Sequence, residues 1–172
     1  YVGLLLEDTS ENIVQNNLID SVDYGIILTS SNNNLIDNNT ILDVDEDDIE
    51  LTNTGYSEGS KGNTVTNNDG IGNLNFVNSD NNLVLYQDVN TINLQNSESI
   101  SAIGSEFNFV ICNSESSLYL KNYFSVNVTR EGVGLEDADL KVWDGDTVVY
   151  STEYFGGSDE MTDSDGYIPV SY

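Results

Sequence analysis

The chain has 172 residues, 30 of them acidic and four basic, for a formal net charge of −26 at neutral pH. That balance argues against nucleic acid and anionic membrane as partners, because phosphate binding needs clustered Lys and Arg. Cations, cationic surfaces and neutral glycans stay open, and an acidic surface suits a chain bathed in salt or divalent cations, where self-repulsion is screened.

A single cysteine, Cys112, excludes an intrachain disulfide and is expected to fill space as a small apolar residue. No apolar run is long enough to span a membrane, and no signal peptide is visible. Tyr1 falls partway through a repeat, so the sequence reads as a segment of a longer protein.

From the start of the chain one pattern returns: Asn, any residue, a β-branched residue, two residues, an amide. Asn12-Ile-Val-Gln-Asn-Asn17, Asn34-Leu-Ile-Asp-Asn-Asn39, Asn63-Thr-Val-Thr-Asn-Asn68, Asn82-Leu-Val-Leu-Tyr-Gln87 and Asn108-Phe-Val-Ile-Cys-Asn113 all fit. The first Asn recurs after 22, 29, 19 and 26 residues. A repeat of roughly 20–30 residues means a stacked architecture. Val2–Leu6, Tyr24–Leu28 and Asp48–Leu51 occupy a second matching place; Ile26 and Leu28 alternate, as do Ile49 and Leu51, the period of a strand with one buried face. Such short strands cannot bury that face alone, but stacked coil on coil they can.

The predicted fold is all-β. A right-handed parallel β-helix of about five coils spans residues 1–121, with Ile26, Leu28, Ile36 and Ile41 inward. At each corner the backbone leaves the sheet and its polar groups need partners. Asn17, Asn39, Asn68, Gln87 and Asn113 are the candidate ladder that supplies them, one residue per coil, donating to one neighbour and accepting from the other. Asn also tolerates the left-handed backbone of a corner.

The third coil is longer by a turn-rich insertion over residues 54–62. Insertions in solenoids map to loops, often on a binding face, so Tyr56 and Lys61 are candidate glycan contacts, set against a plain surface loop. Asp43, Asp45 and Asp47 alternate along a turn and form a candidate Ca²⁺ site, as do Asp163 and Asp165, with Asp144-Gly-Asp146 as a third. The alternative is hydrated acidic turns. Asn38-Asn-Thr40 and Asn127-Val-Thr129 are glycosylation sequons, and Asn38 is expected to face outward. Glycan hydrolysis wants two carboxylates across one groove. The acid run Asp43–Asp48 has no His beside it, and the only Arg is Arg130, outside the repeats.

The last of the 24 Asn residues is Asn127, and a different logic follows. Phe124–Thr129 alternates as a strand. Asp139–Trp143 and Thr147–Tyr150 form a hairpin across Asp144-Gly145-Asp146. Asp163-Ser-Asp-Gly166 turns into Tyr167–Val170. Residues 122–172 therefore read as a small antiparallel immunoglobulin-like β-sandwich, short of the strands needed to close it.

Gly25-Ile-Ile-Leu28 followed by Asn34-Leu-Ile-Asp-Asn-Asn-Thr-Ile41 resembles the β-helix repeats of the carbohydrate-binding and sugar-hydrolase (NosD-like) class, abundant in surface proteins of archaea. The tail, Gly134-Leu-Glu-Asp-Ala-Asp-Leu-Lys-Val-Trp143 with Thr162-Asp-Ser-Asp-Gly166, resembles carboxypeptidase-regulatory-like or Cna-B-like modules, although Glu136-Asp137-Ala138 departs from their usual Gly before Ala. The resemblance implies a non-catalytic, extracellular structural protein of the cell surface: a surface-layer, sheath or filament subunit. It would associate with itself or other surface proteins through β-helix ends or strand edges. Two alternatives stand beside it. One is a glycan-binding adhesin, for which Tyr24, Tyr56 and Tyr86 are the spaced aromatics. The other is a fragment of a polysaccharide-active enzyme.

Overall fold

The computed structural model describes residues 1–54, 62–121 and 125–168. The chain divides into two compact units, Tyr1–Asn122 and Tyr123–Tyr172. Among the described residues no helix is long and apolar enough to cross a membrane.

The first unit is a parallel β-helix. Its first coil holds β1 (Val2–Glu7), β2 (Ile13–Gln15) and β3 (Leu18–Val22), and its second holds β4 (Tyr24–Thr29), β5 (Leu35–Asp37) and β6 (Thr40–Val44). Among the described residues, later coils carry two strands each. These are β7 (Ile49–Thr52) with β8 (Thr64–Thr66), β9 (Asn73–Val77) with β10 (Leu83–Leu85), β11 (Asp88–Gln95) with β12 (Ile100–Ile103), and β13 (Glu106–Cys112) with β14 (Leu118–Lys121). Two six-stranded parallel sheets result, β1-β4-β7-β9-β11-β13 and β2-β5-β8-β10-β12-β14, and β3 pairs β6 in a third, two-stranded sheet.

Register explains the core. Leu4, Ile26, Ile49, Leu74, Ile92 and Val110 stand one above the other in the first sheet. Val14, Ile36, Val65, Val84, Ala102 and Leu120 do so in the second. In the middle coils these columns are fully buried, together with Leu28, Ile41, Leu51 and Phe76. A parallel sheet needs its face covered, and here each column covers the other across the coil.

The third side fades after β6, leaving only a bridge between Thr40 and Asp69. The coils then shorten to 18 residues, as between Asn90 and Asn108. This shortening corrects the repeat alignment. Leu83 pairs with Ser101, not with Phe109. Asn108 lies on β13 in the other sheet, where its Nδ2 donates to Asn90 Oδ1 at 3.2 Å. The pattern fitted residues 108–113 because an inward β-branched residue, Val110, also follows an Asn there.

Cys112 is likewise corrected: it is exposed rather than packed. It stacks on Leu94, but β13 is the last strand of its sheet, so no further coil of this unit covers it.

Among its described residues the second unit has two small antiparallel sheets, which by themselves do not make up the expected sandwich. One pairs β15 (Thr129–Arg130) with β16 (Val133–Gly134), the other β17 (Lys141–Asp144) with β18 (Thr147–Ser151), and a 3₁₀ turn spans Glu153–Phe155. The hairpin turns at Gly145 (φ 57°), with Asp144 opposite Thr147. Of the expected strand over Phe124–Thr129, Phe124 lies outside the described residues, and the rest shows a bridge from Asn127 to Tyr167 ahead of β15. The physical reason lies in the apolar inventory. Among the described residues only Tyr150 and Ile168 are buried apolar side chains here, whereas Trp143, Val148 and Val149 are exposed. Polar ties hold the rest: Thr162 Oγ1 accepts from Ala138 N at 2.8 Å, and Thr152 Oγ1 donates to Asp139 Oδ1 at 2.7 Å.

Core packing predicts an asymmetric mutational response. Ile36→Ala, at a fully buried site, is expected to cost about 2–5 kcal/mol. Leu5→Ala, on the outward, half-exposed face, is expected to stay within about 0.5 kcal/mol. Shifts in the urea midpoint measure both.

Candidate functional site

The corners carry the densest polar chemistry. At the corner after β2, β5, β8 and β10 stand Asn17, Asn39, Asn68 and Gln87. Asn39 shows the bonding in full. Its Oδ1 accepts from Asn17 N at 3.1 Å and Asn17 Nδ2 at 2.9 Å. Its Nδ2 donates to Val14 O at 3.0 Å and to Asn68 Oδ1 at 2.9 Å. Gln87 Oε1 accepts from Asn68 N at 2.9 Å, and Gln87 N donates to Ser105 Oγ at 3.1 Å. The line therefore ends on Ser105. Asn113 is not on it: that side chain is exposed beyond β13 and exchanges bonds with Asn96, at 2.7 and 3.2 Å. The misplacement follows from the shortened coil.

Two further lines run parallel. Asn12, Asn34, Asn63 and Asn82, the first amides of the repeats, form one, with Asn34 N donating to Asn63 Oδ1 at 2.9 Å and Asn63 N to Asn82 Oδ1 at 2.7 Å. The other is built of hydroxyls. Thr9 N donates to Ser31 Oγ at 3.1 Å, and Thr54, Ser79 and Ser97 donate in turn to Ser79, Ser97 and Ser116 at 3.0–3.1 Å.

A left-handed residue precedes the ladder residues, Asn63 excepted: Asn16, Asn38, Asn67 and Tyr86 before the first line, Glu11, Asn33 and Asn81 before the second, Asp8, Ser30, Asn53, Asn78 and Asn96 before the third. The sequence expectation that the ladder amide takes the left-handed turn is corrected: its predecessor takes it. That pairing was a readable signal for the missed hydroxyl line, since Asp8-Thr9, Ser30-Ser31, Asn53-Thr54, Asn78-Ser79 and Asn96-Ser97 all show it.

The acidic run lies between β6 and β7. Asp43 and Asp45 are exposed, and Asp47 is half-buried. Among the described residues no three Asp, Glu, Cys or His side chains converge on a point that could hold a metal ion, so Asp43, Asp45 and Asp47 are not brought together. Their neighbour Asp48 is buried instead. Its Oδ2 accepts from Gly72 N at 3.0 Å and Asn73 N at 2.7 Å, tying one coil to the next. Burial pushes the Asp48 carboxyl above its ordinary range against the pull of those N–H groups. Burial, then the nearby Glu50, pushes Asp47 up as well.

In the second unit Asp163 Oδ1 accepts from Asp165 N and Tyr167 N, each at 2.9 Å. It closes the turn that Gly166 (φ 84°) completes, which commits Asp163 to the backbone; Asp165 is exposed. Asn38 is exposed at a left-handed corner and donates Nδ2 to Asn16 Oδ1 at 2.6 Å. Asn127 is exposed and donates to Asp165 O at 3.1 Å. Tyr24 opens β4 half-buried, whereas Tyr86 is exposed at a corner, so the two do not stack. Tyr56 and Lys61 lie outside the described residues.

A groove of about 530 Å³ runs along the side of the β-helix where the third sheet has faded. It is lined by Asp69, Gly70, Gly72, Asp88, Asn90, Glu106 and Asn108 among others. Asp88 and Glu106 are register partners there. Gly70 (φ 79°) forms part of its floor, where a Cβ would fall 2.0 Å from Ile41 O.

Two predictions follow from the bonding and the acids. Asn39→Ala strands the N–H of Asn17 and the carbonyl of Val14, and is expected to cost on the order of 3 kcal/mol. Asn38→Gly, one residue away, keeps the left-handed backbone and is expected to change stability by less than about 0.5 kcal/mol; denaturant titration compares them. The raised carboxyls fix a sign for pH. Folded Asp47 and Asp48 take up protons at a higher pH than they do unfolded, so lowering the pH from neutral through their folded range adds stability, and the gain is complete below the unfolded value of about 3.9. Melting temperature is expected to rise from neutral to mildly acidic pH, with a shallower slope in Asp47→Asn and Asp48→Asn.

The family model for a right-handed β-helix region matches residues 1–88. No curated protein matches the chain. With coils, parallel sheets and inter-coil corner bonds in place, this chain belongs to the right-handed β-helix family.

Proposed function

We propose that this chain is a non-catalytic structural element of an extracellular surface, a stiff β-helical segment of a layer, sheath or filament. The observation that carries this reading is the three lines of side-chain hydrogen bonds that tie successive coils at their corners. Bending such a rod breaks many buried bonds together, which gives stiffness without disulfides. The net charge of −26 keeps rods apart at low salt, and cations such as Ca²⁺ would act by screening the outward carboxylates. Asn38 and Asn127, both exposed, are the places where glycans would be carried.

A second reading rests on the groove lined by Asp69, Asp88, Asn90, Glu106 and Asn108. Repeated amides and carboxylates along an open channel suit the hydroxyls of an extended glycan, which would make the segment an adhesin module.

Electron microscopy of native material tests the first reading, with a filament, sheath or layer expected. Free single particles, together with binding on a glycan array, would replace it with the second.

A further inference from the structure

The end of the β-helix at β13 and β14 is unlike its middle. Both strands are the last in their sheets, so their outer edges have no strand partner within this unit. Inward positions that are buried one coil earlier are open here: Val110, stacked on Ile92, is 49% exposed, and Leu120, stacked on Ala102, is 59% exposed. Phe109, Ile111 and Tyr119 are more than half exposed beside them. Solenoid ends usually carry a polar cap, and edge strands are usually guarded by Pro, Lys or a bulge. The seven residues of β13, Glu-Phe-Asn-Phe-Val-Ile-Cys, contain neither Pro nor Lys.

Charge selects the occupant. Residues 106–121 carry Glu106, Glu115 and Lys121, a net of −1 against −26 for the whole chain. A cationic partner would be drawn to the acidic flanks rather than to this end. A second copy of the chain is repelled from those flanks and meets the least repulsion here, where it offers the same neutral apolar surface. One self-complementary patch on each copy is what a two-fold contact needs.

We propose that the β13–β14 end is a docking surface for the same end of a second copy, with the two β13 edges antiparallel across a two-fold axis. This rests on the structural reading above and names the contact through which assembly begins.

Sedimentation velocity of the full chain over a wide concentration range tests it, with hydrogen exchange of the β13 amides in parallel. A discrete dimer with protected β13 amides is expected. Leu120→Lys is expected to return it to monomer, and Ile111→Lys is the second variant. Both side chains are more than half exposed, and an unchanged melting curve at low concentration shows that the monomer still folds. A monomer whose β13 amides exchange freely overturns the proposal. A monomer with protected β13 amides also overturns it, and assigns the cover to the chain's own second unit. Polymers that lengthen with concentration overturn the two-fold contact but leave the structural reading standing. Filaments in native material, with the purified chain monomeric, would do the same.

Discussion

Everything in the first unit depends on the pairing of backbone N–H groups at the corners. Along the sheets that pairing is automatic, because each strand meets the next in parallel register. At a corner the chain turns away from the ladder, and a buried N–H left unpaired there costs about 1–3 kcal/mol. The solution is a two-residue device. A left-handed residue turns the chain, and the next residue sends its side chain inward to the backbone of the adjacent coil. Asn38 and Asn39 are one such pair; Asn67 and Asn68 are the next.

This device also governs how far coil length can vary. Twenty-two residues separate Asn17 from Asn39, 29 separate Asn39 from Asn68, and 19 separate Asn68 from Gln87. The corner bonds survive those changes because the variable residues fall between the paired strands: the longer step takes its excess between Thr54 and Asn63, which join β7 to β8, and the shorter step loses residues from the third side, where β3 and β6 pair. Two sides keep strict register and carry the core. The side that gave way became the groove floored by Gly70 and Gly72. Fold and candidate surface are thus two outcomes of one rule: length is free wherever no column of side chains must stay in line.

Much of this was legible in one stretch, Asn33-Asn-Leu-Ile-Asp-Asn-Asn39. It holds two turn-and-ladder pairs, Asn33-Asn34 and Asn38-Asn39, around the core residue Ile36. The doublet of amides is the signal, because each member does different work. Ser30-Ser31 and Asn78-Ser79 do the same work with hydroxyls, but Ser and Thr are common in any loop and no β-branched residue follows at fixed distance. Asn108 and Asn113 were misread because a pattern cannot register that the coil has shortened by a whole side. Asp48 was read as one acid in a surface run; its burial depends on Gly72 and Asn73, which lie 24 and 25 residues on. The second unit was least legible. Its turns were readable from Asp-Gly pairs, but the number of strands depends on a core that its described apolar residues do not supply.

The choice of Asn over Asp at the corners has a physical basis, in a chain where acids are abundant. An amide both donates and accepts, so it can pass a bond along the stack without limit. An ionised carboxylate only accepts. A column of carboxylates 4.8 Å apart would also repel at every step. Among the described residues, the buried polar side chains of the first unit are accordingly amides and hydroxyls, with Asp48 as the exception. Asp48 obeys the rule it breaks: it takes two N–H groups from the next coil and hands nothing on, so its tie spans one step and stops. Among the described residues the other acids of this unit are exposed or half-buried; they set the charge of the rod, while neutral amides set its continuity. Separating those two tasks lets a chain with so large a net charge still stack coil on coil.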